Sequence, residues 1–386
     1  MRSLRSRNPG AAFWLAVGIL AIHMAVAALS ARGQSLTYDE SAHFRYDMQI
    51  LDRNSDRFDD SKMPVSALNA YPVAVALRLW PEALDGAWQP ERIGRIATIL
   101  FSGAVGLVLL LWSREWYGGA AGVAAAFLYA FEPNILAHAG LITTDVYAAG
   151  MTAVTIYAFW RFLERPRFGT ALVSSLLLGL SQLAKYTCIS LYVILPLLAL
   201  AHAAGKRRRG VTPQGGGGIL KIVAVVSLFL LVSLTIVNAG FLFNRTLTPL
   251  GEYTFQSDVM TWIQESAPGL RGFPIPVPYP YLEGLDLVRY RDVSGEGYGQ
   301  IYLLGQSRMV GGFPGYFFVA SLFKMPLAEQ LIILVALAVY FFRRHAQGFW
   351  DREVFLLGPA FLYASTSTSS SVPRSACGCT WWFSRC

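Results

Sequence analysis

Long apolar runs separated by short polar connections make up most of the chain. A helix needs about 20 mainly apolar residues to cross a bilayer, and several runs reach that length. The pattern predicts an all-α, polytopic integral membrane protein whose spans pack as a transmembrane helical bundle. Nine candidate spans lie at about 11–31, 93–112, 119–137, 145–163, 170–184, 187–203, 219–241, 326–342 and 352–364.

The composition agrees with a membrane protein. Apolar residues make up 54% of the chain and charged residues 15%, whereas a soluble domain carries about 25% charged residues. The first run is long for the apolar part of a signal peptide and further runs follow it, so we interpret it as a retained span. We therefore predict a cytoplasmic N-terminus at 1–10 and one transmembrane domain at 11–364.

The net charge of +8 is concentrated in short clusters between the apolar runs. With 1–10 in the cytoplasm, every cluster falls on the cytoplasmic side, as the positive-inside rule requires. The loops 32–91 and 242–325 then lie on the outer face. The charge thus indicates topology, and we predict no nucleic-acid partner. The clusters are Arg2/Arg5/Arg7, Arg114, Arg161/Arg165/Arg167, Lys206–Arg209 and Arg343/Arg344.

Several connecting segments have distinct compositions. The loop 205–218 is predicted to be a flexible cytoplasmic linker, and 32–91 has mixed apolar and charged positions that suit helices at the membrane surface. The stretch "RGFPIPVPYPYLEGL" predicts an extended surface loop, because proline disrupts helices and central strands. The tail 365–386 is rich in serine and cysteine and departs abruptly from the apolar pattern. It indicates a reading-frame change or truncation that could leave the chain inactive.

The first candidate chemistry lies in "LTYDESAHF", just beyond the first span. If this stretch is helical, Asp39 and His43 share a face at i,i+4, and Glu40 reaches the same edge at i,i+3. Carboxylates near a membrane are costly to place unless they are solvated or paired. Two interpretations remain open, a chemical site or a solvated cap at the start of an interfacial helix.

A second cluster lies in "FEPNILAHAGLITTDVYAAG", which connects two spans on the same predicted face and contains Glu132, His138 and Asp145. Asp145 could simply cap the next helix. Lys185 and Lys324 lie at a similar depth, although a lysine at a span end is often only snorkelling to the interface. Acids and bases that converge at one depth favour a pocket for a phosphate and a hydroxyl.

Three stretches resemble the protein O-mannosyltransferase family and its bacterial relatives, which are lipid-carrier-dependent glycosyltransferases of the GT-C superfamily. They are "YDESAHF", "EPNILAHAGLITTDVYAAG" with the following "FWRFLERP" and "LLLGLSQLAKYT", and "YLLGQSRMVGGFPGYFFVASLFKMPLAEQL". The resemblance covers about 10–362. It implies a GT-C-type bundle with interfacial helices in its outer loops, in an inner bacterial membrane, with the active site on the outer face.

The resemblance also implies a reaction. A hexose such as mannose would move from a polyprenyl phosphate to a hydroxyl, with protein Ser or Thr as the expected acceptor, in one inverting displacement. Asp39 matches the family's catalytic aspartate and would be the general base, while Glu40 would support it or position the acceptor. Adjacent ionised carboxylates are also expected to raise each other's pKa.

The leaving phosphate needs positive charge rather than a general acid. Lys62, Lys185, Arg308 and Lys324 are the candidate cations. His43, His138 and Asp145 match family positions and are predicted to line the substrate site. One departure concerns "DDSKMPVSALNAYP", which retains Lys62 but lacks the histidine of the family's proline-rich loop element. This difference affects the element by which the family would recognise the lipid carrier or the acceptor.

No cofactor and no metal are assigned from the sequence. An acidic pair with histidines could bind a divalent ion, but a third ligand is missing. Cys188 lies in an apolar run and the other three of the four cysteines lie in the last ten residues, so no disulfide framework is indicated. Alternatives are transfer to a lipid or glycan, as in aminoarabinose transferases, a transporter, or a non-catalytic scaffold.

Overall fold

The computed structural model describes residues 10–52, 62–79, 90–210, 218–266, 268–294, 296, 301–308, 313, 315–342 and 349–369. Most of these residues are helical, which confirms the predicted all-α membrane fold. Fifteen helices follow in chain order, listed here as α1 to α15: Ala11–Gly33, Tyr38–Leu51, Ala67–Leu79, Pro90–Tyr117, Gly119–Phe131, Pro133–Ala139, Asp145–Glu164, Phe168–Gln182, Leu191–Arg208, Gly218–Gly240, Asp258–Ser266, Tyr279–Ser294, Tyr316–Lys324, Leu327–Phe342 and Val354–Ser369.

Short 3₁₀ turns and one hairpin complete the described secondary structure. The turns are Pro64–Ser66, Tyr186–Ser190, Leu250–Glu252 and Pro268–Leu270. Strands β1 (Ile301–Leu303) and β2 (Gln306–Arg308) pair in antiparallel fashion. The sequence pattern did not predict this hairpin.

Within the described ranges, five helices are long and apolar enough to cross a membrane, and up to seven spans result if two bent helix pairs each count as one. The five are α1, α4, α7, the α9 helix with its preceding 3₁₀ turn, and α10. In one bent pair α5 and α6 meet at 64°, and in the other α13 and α14 meet at 112°. In each pair a proline lies at the start of the second helix. Pro133 is the first residue of α6, and Pro326 directly precedes α14. A proline is tolerated there because the first N–H groups of a helix have no partner within the helix.

Seven of the nine predicted spans coincide with these five helices and two pairs. The shorter apolar helices Phe168–Gln182 and Val354–Tyr363 account for the two predicted spans that fall below spanning length. The number nine therefore stays a prediction. The helices α2 and α3 occupy the loop in which surface helices were expected.

The chain divides into two compact units. Unit 1 contains Met1–Asn54, Lys62–Ala158 and Leu180–Cys188, and unit 2 contains Ser55–Ser61, Phe159–Gly179 and Ile189–Cys386.

In unit 1 the helices α1, α4 and α5 pack closely around a small-residue contact. A Cβ on Gly106 would lie 2.6 Å from a Leu20 methyl group, so glycine permits this approach. Polar groups inside the bundle bond to one another. The His23 ring contacts Ala130 O at 3.0 Å and the Ser102 hydroxyl at 2.9 Å, which satisfies groups that lipid could not.

In unit 2 the helices α8 and α10 approach at Gly179, where a Cβ would lie 2.7 Å from Ile236. A hydrogen bond and an ion pair connect the turn before α15 to neighbouring helix ends. Trp160 Nε1 donates to Asp351 O at 2.8 Å, and Arg209 forms an ion pair with the Asp351 carboxylate.

One prediction about the connections is wrong in part, and others lie outside the described residues. The proline-rich stretch is non-helical through 278, but α12 begins at Tyr279 because Pro280 occupies its first turn. The helix α9 runs through the start of the predicted linker as far as Arg208, and α15 continues to Ser369. Outside the described residues lie the rest of that linker at 211–217, the tail beyond 369, and the basic clusters Arg2/Arg5/Arg7 and Arg343/Arg344.

Candidate active site

The first turn of α2 presents its two adjacent carboxylates in opposite ways. Asp39 is exposed, whereas Glu40 is fully buried. The Thr37 backbone N–H donates to Glu40 Oε2 at 2.8 Å, which is one half of a capping box at this helix start. The cap that one of the two sequence interpretations expected is thus present, in the same turn as the candidate carboxylates.

Arg95 of α4 binds Glu40 in a bidentate ion pair. Arg95 Nε lies 2.8 Å from Oε1 and Arg95 Nη2 lies 2.8 Å from Oε2, with both side chains almost inaccessible to solvent. The remaining guanidinium N–H groups donate to the backbone oxygens of Ala31, Gln34 and Ser35 at 2.8–3.1 Å. A buried charge pair is tolerated when all its donors and acceptors are satisfied, as they are here.

Glu40 also connects to the second predicted cluster. The Ile142 backbone N–H, in the loop before α7, donates to Glu40 Oε1 at 3.0 Å. Burial by itself raises the pKa of Glu40, but hydrogen bonds from Arg95, Thr37 and Ile142 outweigh burial, and the net shift is downward. We expected the neighbouring Asp39 to raise the pKa of Glu40. That expectation is wrong for the net shift, because the hydrogen bonds from Arg95, Thr37 and Ile142 and the positive charge of Arg95 lower the pKa.

Asp145 forms the centre of a solvent-facing charge group at the start of α7. Lys185 Nζ lies 2.7 Å from Asp145 Oδ1, and His138 Nδ1 lies 3.9 Å from Asp145 Oδ2. All three side chains are close to half exposed. Lys185 can therefore contact a ligand from solvent without leaving a buried charge behind.

His43 of α2 lies within electrostatic range of Asp39, Lys62, Asp145 and Lys185. Its side chain is buried and its Nδ1 accepts or donates no hydrogen bond among the described residues. Burial lowers the pKa of His43 to about 4, and the positive charge of Lys62 adds to that effect, while Asp39 and Asp145 oppose it. The imidazole is thus neutral at pH 7, with one unpaired nitrogen.

Asp47, one helical turn beyond His43 on α2, is a further buried acid that the sequence reasoning missed. It is fully buried, and neither carboxyl oxygen has a hydrogen-bond partner of standard geometry among the described residues. Burial raises the pKa of Asp47 to about 7, although the Ser66 hydroxyl acts in the opposite direction. The signal for it was spacing, because Asp39, His43 and Asp47 recur at i, i+4 and i+8.

The structure brings seven of the nine predicted site residues together within unit 1. The other two lie in unit 2, where Arg308 ends β2 with its guanidinium 4.6 Å above the Phe313 ring and Lys324 ends α13. Among the described residues no group of three His, Cys, Asp or Glu side chains could hold a metal ion. The seven are Asp39, Glu40, His43, Lys62, His138, Asp145 and Lys185.

Comparison with known proteins identifies the stretch that forms much of this group. Residues 87–237 match the family model of dolichyl-phosphate-mannose-protein mannosyltransferases. The match covers less than half of the chain and supports the resemblance seen in the sequence. The match supports a membrane glycosyltransferase of the GT-C type, and the long apolar helices agree with a membrane protein.

The matched stretch includes Arg95, His138, Asp145 and Lys185 but not the turn with Asp39. No curated protein and no solved structure matches the chain. The roles of the residues before 87 therefore depend on the sequence motif and on the geometry just described.

Proposed function

We propose that this chain transfers a hexose, mannose or a close analogue, from a polyprenyl phosphate to a hydroxyl group of a protein Ser or Thr. The match of residues 87–237 to the mannosyltransferase family model supports this donor and acceptor. One observation carries the proposal. The buried ring of His43 is within electrostatic range of an exposed carboxylate, Asp39, and of two cations, Lys62 and Lys185. A base and a phosphate-binding charge thus occur in one small region.

In the proposed reaction, Asp39 removes the proton from the acceptor hydroxyl. The hydroxyl oxygen attacks the anomeric carbon of the sugar as the bond from that carbon to the phosphate oxygen breaks. The phosphate leaves with the bonding electrons, and the configuration at the anomeric carbon inverts. A hydroxyl is a poor nucleophile at neutral pH, so a base within hydrogen-bond reach is required.

The leaving phosphate gains negative charge, which Lys185 and Lys62 would offset. Preorganised positive charge at the position where charge develops is often the largest catalytic contribution. Lys185 is held 2.7 Å from Asp145 Oδ1 but is only partly buried. It can approach a phosphate while Asp145 and His138 keep it in place.

Glu40 takes a positioning role in this proposal, because its carboxylate is committed to Arg95 and has no exposed surface. His43, with a neutral ring and a free nitrogen, is suited to bind a sugar or acceptor hydroxyl. Arg308 and Lys324 remain predicted substrate-binding cations of the later segment. The proposed location is the inner membrane of a bacterium, with the N-terminus in the cytoplasm and this group on the outer face.

A transfer assay with membranes containing the full chain tests the proposal. The donor is radiolabelled polyprenyl-phosphate mannose, and the comparison is Asp39→Asn against the parent. Loss of a general base predicts a decrease in rate of about 10²–10⁴-fold. The matched control is Asp52→Asn, since Asp52 is an exposed acid at the other end of α2.

Unchanged transfer by Asp39→Asn, or equal loss in both variants, would contradict the assignment. Extraction with organic solvent distinguishes acceptors, since label in the protein fraction supports a Ser or Thr acceptor and label in the solvent phase favours a lipid. Label that crosses the membrane without joining any product would instead favour a transporter.

A further inference from the structure

The inner side of α2 carries one acid that the proposed reaction does not use. Glu40, His43 and Asp47 recur at i, i+3 and i+7, so they lie on one side of the helix, and all three are buried. Glu40 has Arg95 as its cation and accepts two backbone N–H groups. Asp47 is inaccessible to solvent, and both of its carboxyl oxygens lack a hydrogen-bond partner among the described residues.

The hydroxyl group that acts on the Asp47 carboxyl belongs to Ser66, the last residue of the 64–66 turn. Ser66 Oγ donates to Met63 O at 2.8 Å. A backbone oxygen can only accept, so the single hydrogen of the Ser66 hydroxyl is used in that bond. Toward Asp47, Ser66 therefore offers an acceptor oxygen.

The phenol of Tyr147 in α7, which interacts electrostatically with Asp47, also has its hydrogen in another bond. Asn69 Nδ2 donates to Gly94 O at 2.9 Å, and this carbonyl fixes the orientation of the amide because it can only accept. Asn69 Oδ1 then accepts the hydrogen of the Tyr147 hydroxyl at 3.1 Å. Asp47 thus lies near two hydroxyl oxygens whose hydrogens are already used.

These surroundings favour the protonated form of Asp47. A buried carboxylate without donors is costly, whereas a carboxylic acid has an O–H that can bond to Ser66 Oγ. Burial acts in the same direction and raises the pKa of Asp47 to about 7. No described charge of the neighbouring elements contributes to the Asp47 carboxyl. These charges act on other groups: Arg95 on Glu40, Lys185 on Asp145, and Lys62 on His43.

The 64–66 turn connects α2 to both proposed phosphate-binding cations. Lys62 lies just before the turn, and the Val65 N–H donates to Leu183 O at 3.1 Å, two residues before Lys185. The helix α2 packs against this turn. A hydrogen bond from Asp47 to Ser66 therefore fixes the segments that carry both lysines relative to α2.

We propose that Asp47 is a positioning residue that acts as a neutral acid: its proton holds the 64–66 turn against α2, and donor binding weakens when alkaline pH removes that proton. An ionised Asp47 would repel the Ser66 oxygen and separate the turn from the helix. Lys62 would then no longer be held beside His43. The inference rests on the proposed function, because it takes the phosphate of the donor as the ligand of Lys62.

Equilibrium binding of radiolabelled polyprenyl-phosphate mannose to the full chain, without acceptor, tests this inference between about pH 6 and 9. The probe is a phosphodiester, so its own charge does not change in this range. For the parent we expect the Kd to rise above about pH 7, by up to about tenfold per pH unit. Asp47→Asn keeps a donor for Ser66 and cannot ionise, so its Kd should stay near the low-pH value of the parent.

Two further variants separate the proton from the shape of the side chain. Asp47→Leu has no donor for Ser66, so its Kd should be high at every pH. Asp52→Asn changes an exposed acid at the end of the same helix and is the matched control. It should keep the pH profile of the parent.

A second measurement does not depend on the donor. The infrared difference between the parent and Asp47→Asn should contain the C=O band of a protonated carboxylic acid below about pH 7, and this band should disappear as pH rises. Absence of the band, or the same alkaline rise of Kd in the parent and in Asp47→Asn, would overturn the inference. Donor binding that does not change with pH would overturn this inference alone, whereas a parent that binds no donor at any pH would overturn the proposed function with it.

Discussion

Arg95 binds both carboxylate oxygens of Glu40 at 2.8 Å in a fully buried ion pair. The pair joins α4 to the first turn of α2, where the exposed Asp39 precedes Glu40 in the chain. It also connects to the loop before α7 through the Ile142 N–H. One arginine therefore determines where the proposed base lies relative to the Asp145 and Lys185 group.

The first prediction concerns loss of that arginine. In Arg95→Met, Glu40 would remain buried without its cation, and breaking a buried pair in this way costs about 3–5 kcal/mol of unfolding free energy. Thermal unfolding of the purified protein in detergent measures the loss. Transfer activity should fall with it, because the turn that holds Asp39 loses its attachment.

Arg92→Gln is the matched control, since Arg92 is an exposed arginine of the same helix. We expect its unfolding temperature to stay close to that of the parent. If Arg95→Met and Arg92→Gln unfold alike, the buried pair does not have the positioning role described here.

The second prediction concerns the pH dependence contributed by Asp47. Its folded-state pKa of about 7 lies above the ordinary value of 3.8 because the side chain is buried. Between those pH values the folded protein holds a proton that the unfolded chain has lost. The unfolding free energy contributed by this group therefore falls as pH rises from about 4 to 7, by about 1.4 kcal/mol per pH unit.

Asp47→Asn removes this contribution and keeps the shape of the side chain. Relative to the parent, the variant should gain stability progressively across that window and show a constant difference above pH 7. Denaturant unfolding at a series of pH values measures the difference. A difference that does not change with pH would show that Asp47 is not a buried proton-binding group.

The third prediction concerns His43, whose contribution has the opposite sign. Its folded-state pKa of about 4 lies below the ordinary value of 6.5, mainly because of burial. Between those values the unfolded chain binds a proton that the folded protein does not. This contribution is therefore lost as pH falls from 6.5 to 4, by about 1.4 kcal/mol per pH unit.

The contributions of His43 and Asp47 should nearly cancel in the parent protein between about pH 4 and 6.5. In His43→Gln the contribution of Asp47 to the unfolding free energy is no longer cancelled. This variant should therefore become less stable as pH rises from about 4 to 6.5. In Asp47→Asn the contribution of His43 is no longer cancelled, so this variant should become more stable as pH rises over the same range. If both single variants keep the pH profile of the parent, the two groups do not titrate as the structure indicates.

Much of the fold could be predicted because its determinants are local. An apolar run of spanning length forms a helix wherever water is absent, since only a helix satisfies its own backbone. The helix α2 begins at "TYDE" because Thr37 and Glu40 form a local cap. The bend between α5 and α6 at Pro133 was not predicted, because a proline at a helix start does not determine how far the chain turns.

The candidate site was predicted only in part because its most buried interactions are long-range. Glu40 and Arg95 are separated by 55 positions, and nothing in "PERIGRIATIL" indicates which carboxylate Arg95 binds. An arginine in an apolar helix was nevertheless a signal for a buried partner. The exposed residues Asp39, Asp145 and Lys185 could be proposed from the sequence because motif and spacing point to them.

The last prediction separates two roles for Lys185. Lys185→Gln removes a half-exposed ion pair, which is worth about 0.2–1 kcal/mol, so the unfolding temperature should change little. If Lys185 binds the donor phosphate, the KM for the polyprenyl-phosphate sugar should rise. If Lys185 only neutralises Asp145, the double variant Asp145→Asn with Lys185→Gln should recover the lost activity, because no carboxylate is then left unpaired. We expect no such recovery, and steady-state kinetics of the parent and the two variants with a fixed acceptor measure it. Recovery to the parental KM would assign Lys185 to holding Asp145 rather than to the phosphate.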